Sequence, residues 1–251
     1  MTRRRDSAAL YDAVHAGTPG DVEHYLRLAE GASSVLELGC GSGRVLVALA
    51  AAGLDASGIE IDRGMLEAAR ARAAREGVRV TLTEADMASF ELKGQYDRII
   101  VPFTGLYCLL TTERLEACLR SARAHLAPGG LFAFDAYVAD DFHDQTRPED
   151  YPDDLLEPVA EIIHDGEALR VLEKSRWDRD RQRVDATYVY VAPDGNVRHV
   201  HTIGHRYLRR DEVEPLLARA GLSIVSLHGD FSGGPYDPSS GSLVVVARAA
   251  R

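Results

Sequence analysis

The spacing of apolar and polar positions changes character twice along the chain. Residues 8–30 read as two helices, AALYDAVHAG and GDVEHYLRLAE, separated by the breaker GTPG. From residue 34 to 137, apolar runs of strand length alternate with longer stretches at helical spacing. The runs 34–38, 55–61, 79–86, 96–103 and 131–137 predict five strands. GRVLVALAAAG predicts a helix closed by Gly53, and DRGMLEAARARAAREG predicts one capped by Asp62 and ended by Gly77. TTERLEACLRSARAHLAPGG predicts a third, with Thr at its start and Pro-Gly-Gly at its end. Strict alternation with short connections implies parallel strands joined by right-handed crossovers. The expectation is a doubly wound α/β sheet, whose ligands bind at the carboxyl ends of the strands.

After residue 137 the pattern shifts. DDFHDQTRPEDYPDD is polar and contains proline, so a loop is expected. Residues 157–207 show period-two stretches with turn signals at Asp165-Gly166 and Pro193-Asp194-Gly195, which predicts three or four antiparallel strands. A last helix is expected over 209–221 despite Pro215, then two strands over 222–230 and 242–249.

At 251 residues, with 45% hydrophobic and 27% charged positions, the chain suits one globular domain, 1–251, carrying an elaboration. Residues 1–30 form an expected helical cap, and 157–207 an inserted β lid. No apolar run approaches the ~20 residues that span a bilayer. The basic start, MTRRRDSAAL, leads into no apolar core of a signal peptide. Three cysteines are too few and too irregular for a disulfide framework or zinc site, so a reducing cytoplasm is expected. A net charge of −10, with arginines scattered among acids, argues against a nucleic-acid interface. A monomer or homodimer is expected, with no membrane partner.

The most informative segment is VLELGCGSGR, residues 35–44. A dinucleotide fold wants a small residue at the third position of G-x-G-x-x-G, and counting from Gly39 that position is Arg44, which disfavours NAD. The lysine of a phosphate loop is absent. What stands here is Glu37-x-Gly39-x-Gly41-x-Gly43. Glu60 follows about 20 residues on, where a ribose needs a carboxylate, and TEADM ends the third predicted strand with Asp86 and Met87.

These motifs resemble the class I S-adenosylmethionine (SAM) methyltransferases, in which an acidic residue precedes G-x-G-x-G. The resemblance covers 34–137 closely and 206–249 loosely; 138–205 match only in general architecture. It implies a seven-stranded Rossmann-like sheet closed by an antiparallel C-terminal hairpin, with SAM as cofactor. It implies that Glu37, Gly39, Cys40, Gly41 and Gly43 surround the methionine tail, with Glu37 adding favourable charge near its ammonium. By the same resemblance Glu60 and Ile61 lie at the ribose, Asp86 and Met87 at the adenine, and Pro102 and Phe103 beneath the methyl donor. Tyr11 is placed either over the SAM tail or in packing between helix and sheet.

Methyl transfer to nitrogen or oxygen is an in-line displacement that needs alignment, a free lone pair and exclusion of water. Topology confines the acceptor to 101–107, 135–144 and 231–238, beneath the lid. Tyr107, Tyr137, His205 and Tyr236 are the candidate catalytic contacts, together with Asp135. His199, His201 and His205 share a face of a regular strand, but i, i+2 neighbours rarely converge on one ion, and no metal is expected. Arg206 with Tyr207 is open to two roles, holding a substrate carboxylate or pairing within the lid. The amino-methylating motif of adenine methyltransferases is replaced by VPFT, and a tyrosine-rich mouth favours a small-molecule acceptor. A catalytically silent SAM-binding regulator or scaffold is the alternative.

Overall fold

The computed structural model describes residues 2–152 and 155–250. Met1 and Arg251, at the ends of the expected domain, and residues 153 and 154 of the expected loop lie outside them. Two helices, α1 (Thr2–Val14) and α2 (Asp21–Leu28), precede β1 (Ser34–Leu38). Then come α3 (Arg44–Ala51), β2 (Asp55–Glu60), α4 (Arg63–Arg75), β3 (Thr81–Glu84), β4 (Tyr96–Val101), α5 (Thr112–His125) and β5 (Leu126–Tyr137). A short α6 (Asp140–Gln145) leads to β6 (Glu157–His164), β7 (Glu167–Asp178), β8 (Arg183–Val191) and β9 (Val197–Arg206). The chain ends with α7 (Arg210–Arg219), β10 (Leu222–His228) and β11 (Ser242–Ala249).

Seven strands form one sheet in the order β10-β11-β5-β4-β1-β2-β3, and β6-β7-β8-β9 form a second, antiparallel sheet. In the first sheet only β11 runs against its neighbours, pairing antiparallel with both β5 and β10. Four of the five β1 residues are buried, as a central parallel strand covered on both faces requires. One face packs Leu36, Ile99, Phe132 and Val245 against Leu115 and Leu119 of α5 and Leu216 of α7. The other packs Val35, Ile100 and Ala133 against Tyr25 of α2, Leu46 of α3 and Leu66 of α4. Among the described residues no helix is long and apolar enough to cross a membrane.

Three local expectations are corrected. No helix joins β3 to β4. The Asp86 side chain accepts from Ala88 N at 2.9 Å, Ser89 N reaches Asp86 O at 2.9 Å, and Leu92 N donates to His125 Nε2 at 3.0 Å. This satisfies the connection without helical bonds. The third helix stops at His125, so Pro128-Gly129-Gly130 opens β5 instead of ending the helix. Finally, part of the expected loop after β5 is helical. Phe142 of α6 packs on Trp177 of β7 with ring centroids 4.7 Å apart, and Asp140 accepts from Arg210 N at 3.1 Å, which ties the segment to the second sheet and to α7.

Gly58, in the middle of β2, shows how tightly β2, α3 and the glycine turn are packed. A Cβ there would lie 2.7 Å from both Cys40 Sγ and Leu46 Cδ2. Gly58→Ala is therefore expected to lower unfolding stability by about 1–3 kcal/mol through overpacking. A urea titration in which the midpoint does not fall would contradict this packing.

Candidate active site

The main cavity, about 880 Å³, opens at the carboxyl ends of β1, β2 and β4 and is bounded on its far side by the second sheet. Its floor is the turn after β1. Gly39 and Gly41 have φ of 68° and 52°, values that residues with a Cβ rarely hold. Cys40 N donates to Ile59 O at 3.0 Å and Gly43 N to Cys40 O at 2.8 Å, which fixes the turn against β2. Gly43 itself is not part of the cavity wall. It precedes α3, where a Cβ would meet Ala69 Cβ at 3.1 Å, so its smallness serves the contact between α3 and α4.

Glu37 reaches this floor from the middle of the sheet. It is 3% exposed, and its Oε2 is buried with no hydrogen-bond partner. Burial pushes its carboxyl up to about 8; the Arg44 guanidinium and the Leu46 N–H pull the other way, and the Glu60 charge adds to the rise. Glu60, at the end of β2, also faces the cavity. Its Oε2 accepts from Gly41 N at 3.0 Å and its Oε1 from Asp62 N at 2.8 Å. Each oxygen keeps a lone pair free for a further donor. Asp62 caps α4 by accepting from Met65 N at 3.0 Å.

The other expected cofactor residues divide by their surroundings. Tyr11, Cys40, Ile61, Asp86, Met87, Pro102 and Phe103 line the same cavity. Asp86 is not a free acceptor, because Arg114 Nη2 lies 3.0 and 2.9 Å from its two oxygens. Tyr11 is held over the cavity by its helix. Asp12 pairs with Arg72 of α4 at 2.7 Å and accepts from the Ser42 hydroxyl at 2.6 Å, while the Tyr190 hydroxyl of β8 reaches Leu10 O at 3.3 Å. Helix α1 thus bridges the glycine turn and the second sheet.

Of the acceptor-side candidates, Tyr137 and His205 line the cavity, and so does Asp135. Burial raises the Tyr137 phenol well above its ordinary range and lowers the His205 imidazole below its own. Tyr107 and Tyr236 do not line it. Tyr107 is fully buried and donates to the carbonyls of Tyr137 and Leu208 at 3.1 and 3.2 Å, so its hydroxyl serves packing. Tyr236 lies under the Arg210 guanidinium, 5.6 Å from its ring centroid. Arg206 pairs with Glu212 of α7 at 3.3 Å, and the Tyr207 hydroxyl is met by Trp177 Nε1 at 3.0 Å and His143 Nδ1 at 2.8 Å. His199 and His201 pack among Tyr188 and Tyr190. Among the described residues no group of three His, Cys, Asp or Glu is arranged to hold a metal.

Three features were not anticipated from the sequence, and a fourth, Asp135, was expected as an acceptor contact but not as a buried carboxyl. Arg44, the residue that breaks the dinucleotide pattern, turns onto Asp21 of α2 at 2.7 and 2.5 Å and lies 5.6 Å over the Phe103 ring. Asp135 is 3% exposed and is held by the Tyr25 hydroxyl at 2.6 Å and Phe103 N at 2.9 Å; its burial raises its carboxyl to about 6. His15 lines the cavity with its Nε2 buried and unpartnered. Glu173 and Ser175 enter from β7. Only the last pair left a readable trace, because alternation in VLEKSRW puts a carboxylate on the same face as Val171 and Trp177.

A mostly parallel sheet in this order, with an acid-flanked glycine turn at one strand tip, a carboxylate at the next and a cavity above both, defines a Rossmann-like protein. Residues 35–130 match the methyltransferase domain family. The chain is 28% identical over 240 residues to the dTDP-3-amino-3,4,6-trideoxy-alpha-D-glucopyranose N,N-dimethyltransferase of Streptomyces venezuelae, covering 91% of this chain and 94% of that one. It is 26% identical to the dTDP-3-amino-3,6-dideoxy-alpha-D-glucopyranose N,N-dimethyltransferase of Streptomyces fradiae, covering 90% and 87%. Among solved structures, the CcbJ methyltransferase of Streptomyces caelestis superposes with a TM-score of 0.84 at 29% identity, covering 100% of this chain and 99% of that one. The chain carries a methyltransferase domain over residues 35–130, and its similarity along nearly the whole length to named methyltransferases supports a SAM-dependent methyltransferase with SAM as cofactor.

The Asp21–Arg44 pair holds α2 beside the turn. Asp21 is 2% exposed and also accepts from Thr18 N at 3.1 Å. Arg44→Ala strands that carboxylate and is expected to cost about 3–5 kcal/mol in unfolding free energy. Asp21→Asn combined with Arg44→Met should recover part of it; no recovery in denaturant titrations would mean that the lost packing, and not the stranded charge, dominates.

Proposed function

We propose that the enzyme methylates an amine nitrogen of a small molecule held between the strand tips and the inner face of the second sheet, which serves as a lid over residues 157–207. The observation that carries this reading is one continuous cavity reaching from the glycine turn and Glu60 to Tyr137, Glu173 and His205. The relatives that are named as amino-sugar N,N-dimethyltransferases support nitrogen as the atom methylated.

The residues present fit SAM. Glu37, with its unpartnered buried oxygen, would take the ammonium of the methionine tail, and the open space beside Gly41 admits that tail against the main chain. Glu60 would accept from the ribose hydroxyls with the lone pairs that Gly41 N and Asp62 N leave free. Ile61 and Met87 would flank the adenine, with the Asp86–Arg114 pair at its polar edge. When bound, the cofactor supplies a methyl group on a sulfonium.

The chain's own residues supply placement and dryness. Phe103 and Thr104 adopt left-handed φ of 53° and 61°, and their amides point back to Asp135, which fixes the end of β4. The second sheet covers the acceptor and excludes water. An amine that enters protonated must first shed one N–H proton, and the lone pair so freed would take the methyl group, with the sulfonium leaving as a thioether. His205, kept neutral by burial, faces the same space and can accept that proton. With a net charge of −10 and both cavity arginines already paired, a nucleic-acid acceptor is disfavoured.

The test is methyl transfer from SAM to matched amines and alcohols, read as S-adenosylhomocysteine release and product mass, alongside calorimetric SAM titration of Glu60→Ala. Methylated amines are expected, together with at least a roughly tenfold weaker SAM affinity in the variant, the loss of about one charged hydrogen bond. Methylation confined to hydroxyls would refute the nitrogen reading. Unchanged SAM affinity would refute the role of Glu60.

A further inference from the structure

We infer that Glu173 selects the acceptor, by receiving a hydrogen bond from a protonated primary or secondary amine that enters beneath the second sheet. This rests on the small-amine reading above and adds the residue that enforces it.

The register of the second sheet sets Glu157 opposite Glu173, Glu173 opposite Tyr188, and Tyr188 opposite His201, so the four side chains form one row across one face. Glu173 and Ser175 line the main cavity. The same two residues line an adjoining recess of about 40 Å³ with Tyr151, Leu155 and Glu157. Glu173 therefore stands where the two spaces meet, and exposed Glu157 stands on the outer side of that junction.

Its carboxylate is aimed by neighbours. The Ser175 hydroxyl donates to Oε1 at 2.9 Å, and the Tyr188 hydroxyl also hydrogen-bonds to it. Neither neighbour neutralises its charge. Only two cationic side chains line the main cavity among the described residues, Arg44 and Arg114. Arg44 is paired with Asp21 and Arg114 with Asp86, both on the cofactor side. Lys174, the next residue on β7, alternates to the opposite face. The other titratable groups lining this end are His15, His205 and the phenols of Tyr11, Tyr137 and Tyr188, none of which is a fixed cation. A half-buried carboxylate without a cationic partner favours a ligand that brings one. The same wall carries no fixed cation for an anionic group, so the amine end of an acceptor fits against it and a phosphate does not.

The experiment needs no turnover. The full chain saturated with S-adenosylhomocysteine is screened by ligand-observed NMR against isosteric pairs such as cyclohexylamine with cyclohexanol and benzylamine with benzyl alcohol, at millimolar concentration. In the wild type the amines should bind roughly tenfold more tightly than their hydroxyl partners, the range of one charged hydrogen bond. Glu173→Gln should erase that preference while keeping its affinity for S-adenosylhomocysteine, and Glu173→Asp should retain most of it. If Glu173→Gln no longer binds S-adenosylhomocysteine, Tyr188→Phe decides in its place, and its preference should fall. Equal binding within pairs, no binding of any amine, or a preference that survives the variant would overturn the inference. Hydroxyl methylation in the transfer assay would instead strike the nitrogen reading, whatever Glu173 does here.

Discussion

The site is organised around a carboxyl that the sheet alone cannot keep ionised. Glu37 sits in the central strand, 3% exposed, where alternation would otherwise place an apolar side chain like Val35. Desolvation is the dominant influence on it and holds the carboxyl protonated near neutral pH, with Arg44 too engaged by Asp21 to offset the burial. The folded value, about 8, lies above the ordinary 4.5, so the folded state binds an extra proton across that window. Stability of the unliganded protein therefore falls as pH rises from about 4.5 towards 8 through this group. A cation delivered beside Oε2 would reverse that tendency by stabilising the ionised form.

Everything else at the cofactor end keeps that carboxylate accessible from one side only. The left-handed glycines lower the main chain so that a ligand can approach. Gly58 lets α3 and Cys40 close against β2 from behind. Asp12, Ser42 and Arg72 bind α1 across the top, and Tyr190 joins α1 to the second sheet. The enclosure is thus shared between an N-terminal helix and an insertion far along the chain, and that one helix joins the glycine turn to the second sheet.

The glycine-turn end of the cavity was legible because its residues are local in sequence: an acid, a glycine turn and one carboxylate at the next strand tip fall within residues 37–60 and line one space. The acceptor end was less so, because its walls come from elements distant in sequence. Tyr107 looked available from its place after β4, yet it lies in a 3₁₀ turn, Gly105–Cys108, that folds its ring into the core. Tyr236 was drawn to Arg210, and Gly43 to the α3–α4 contact. Conversely His15 reaches the cavity from the far end of the chain, and nothing near it in sequence announces that position. The strict alternation breaks between β3 and β4, where Asp86 organises a compact connection through side-chain bonds that periodicity does not register.

The most direct test of the central claim is the number of protons exchanged when SAM binds. Calorimetric titrations at pH 7 in buffers of different ionisation enthalpy measure it. A Glu37 carboxyl with its value near 8 is mostly protonated before binding and ionises beside the ammonium, so release approaching one proton per SAM is expected, and Glu37→Gln should abolish it. Binding with no proton release, or with the same release in the variant, would contradict the account.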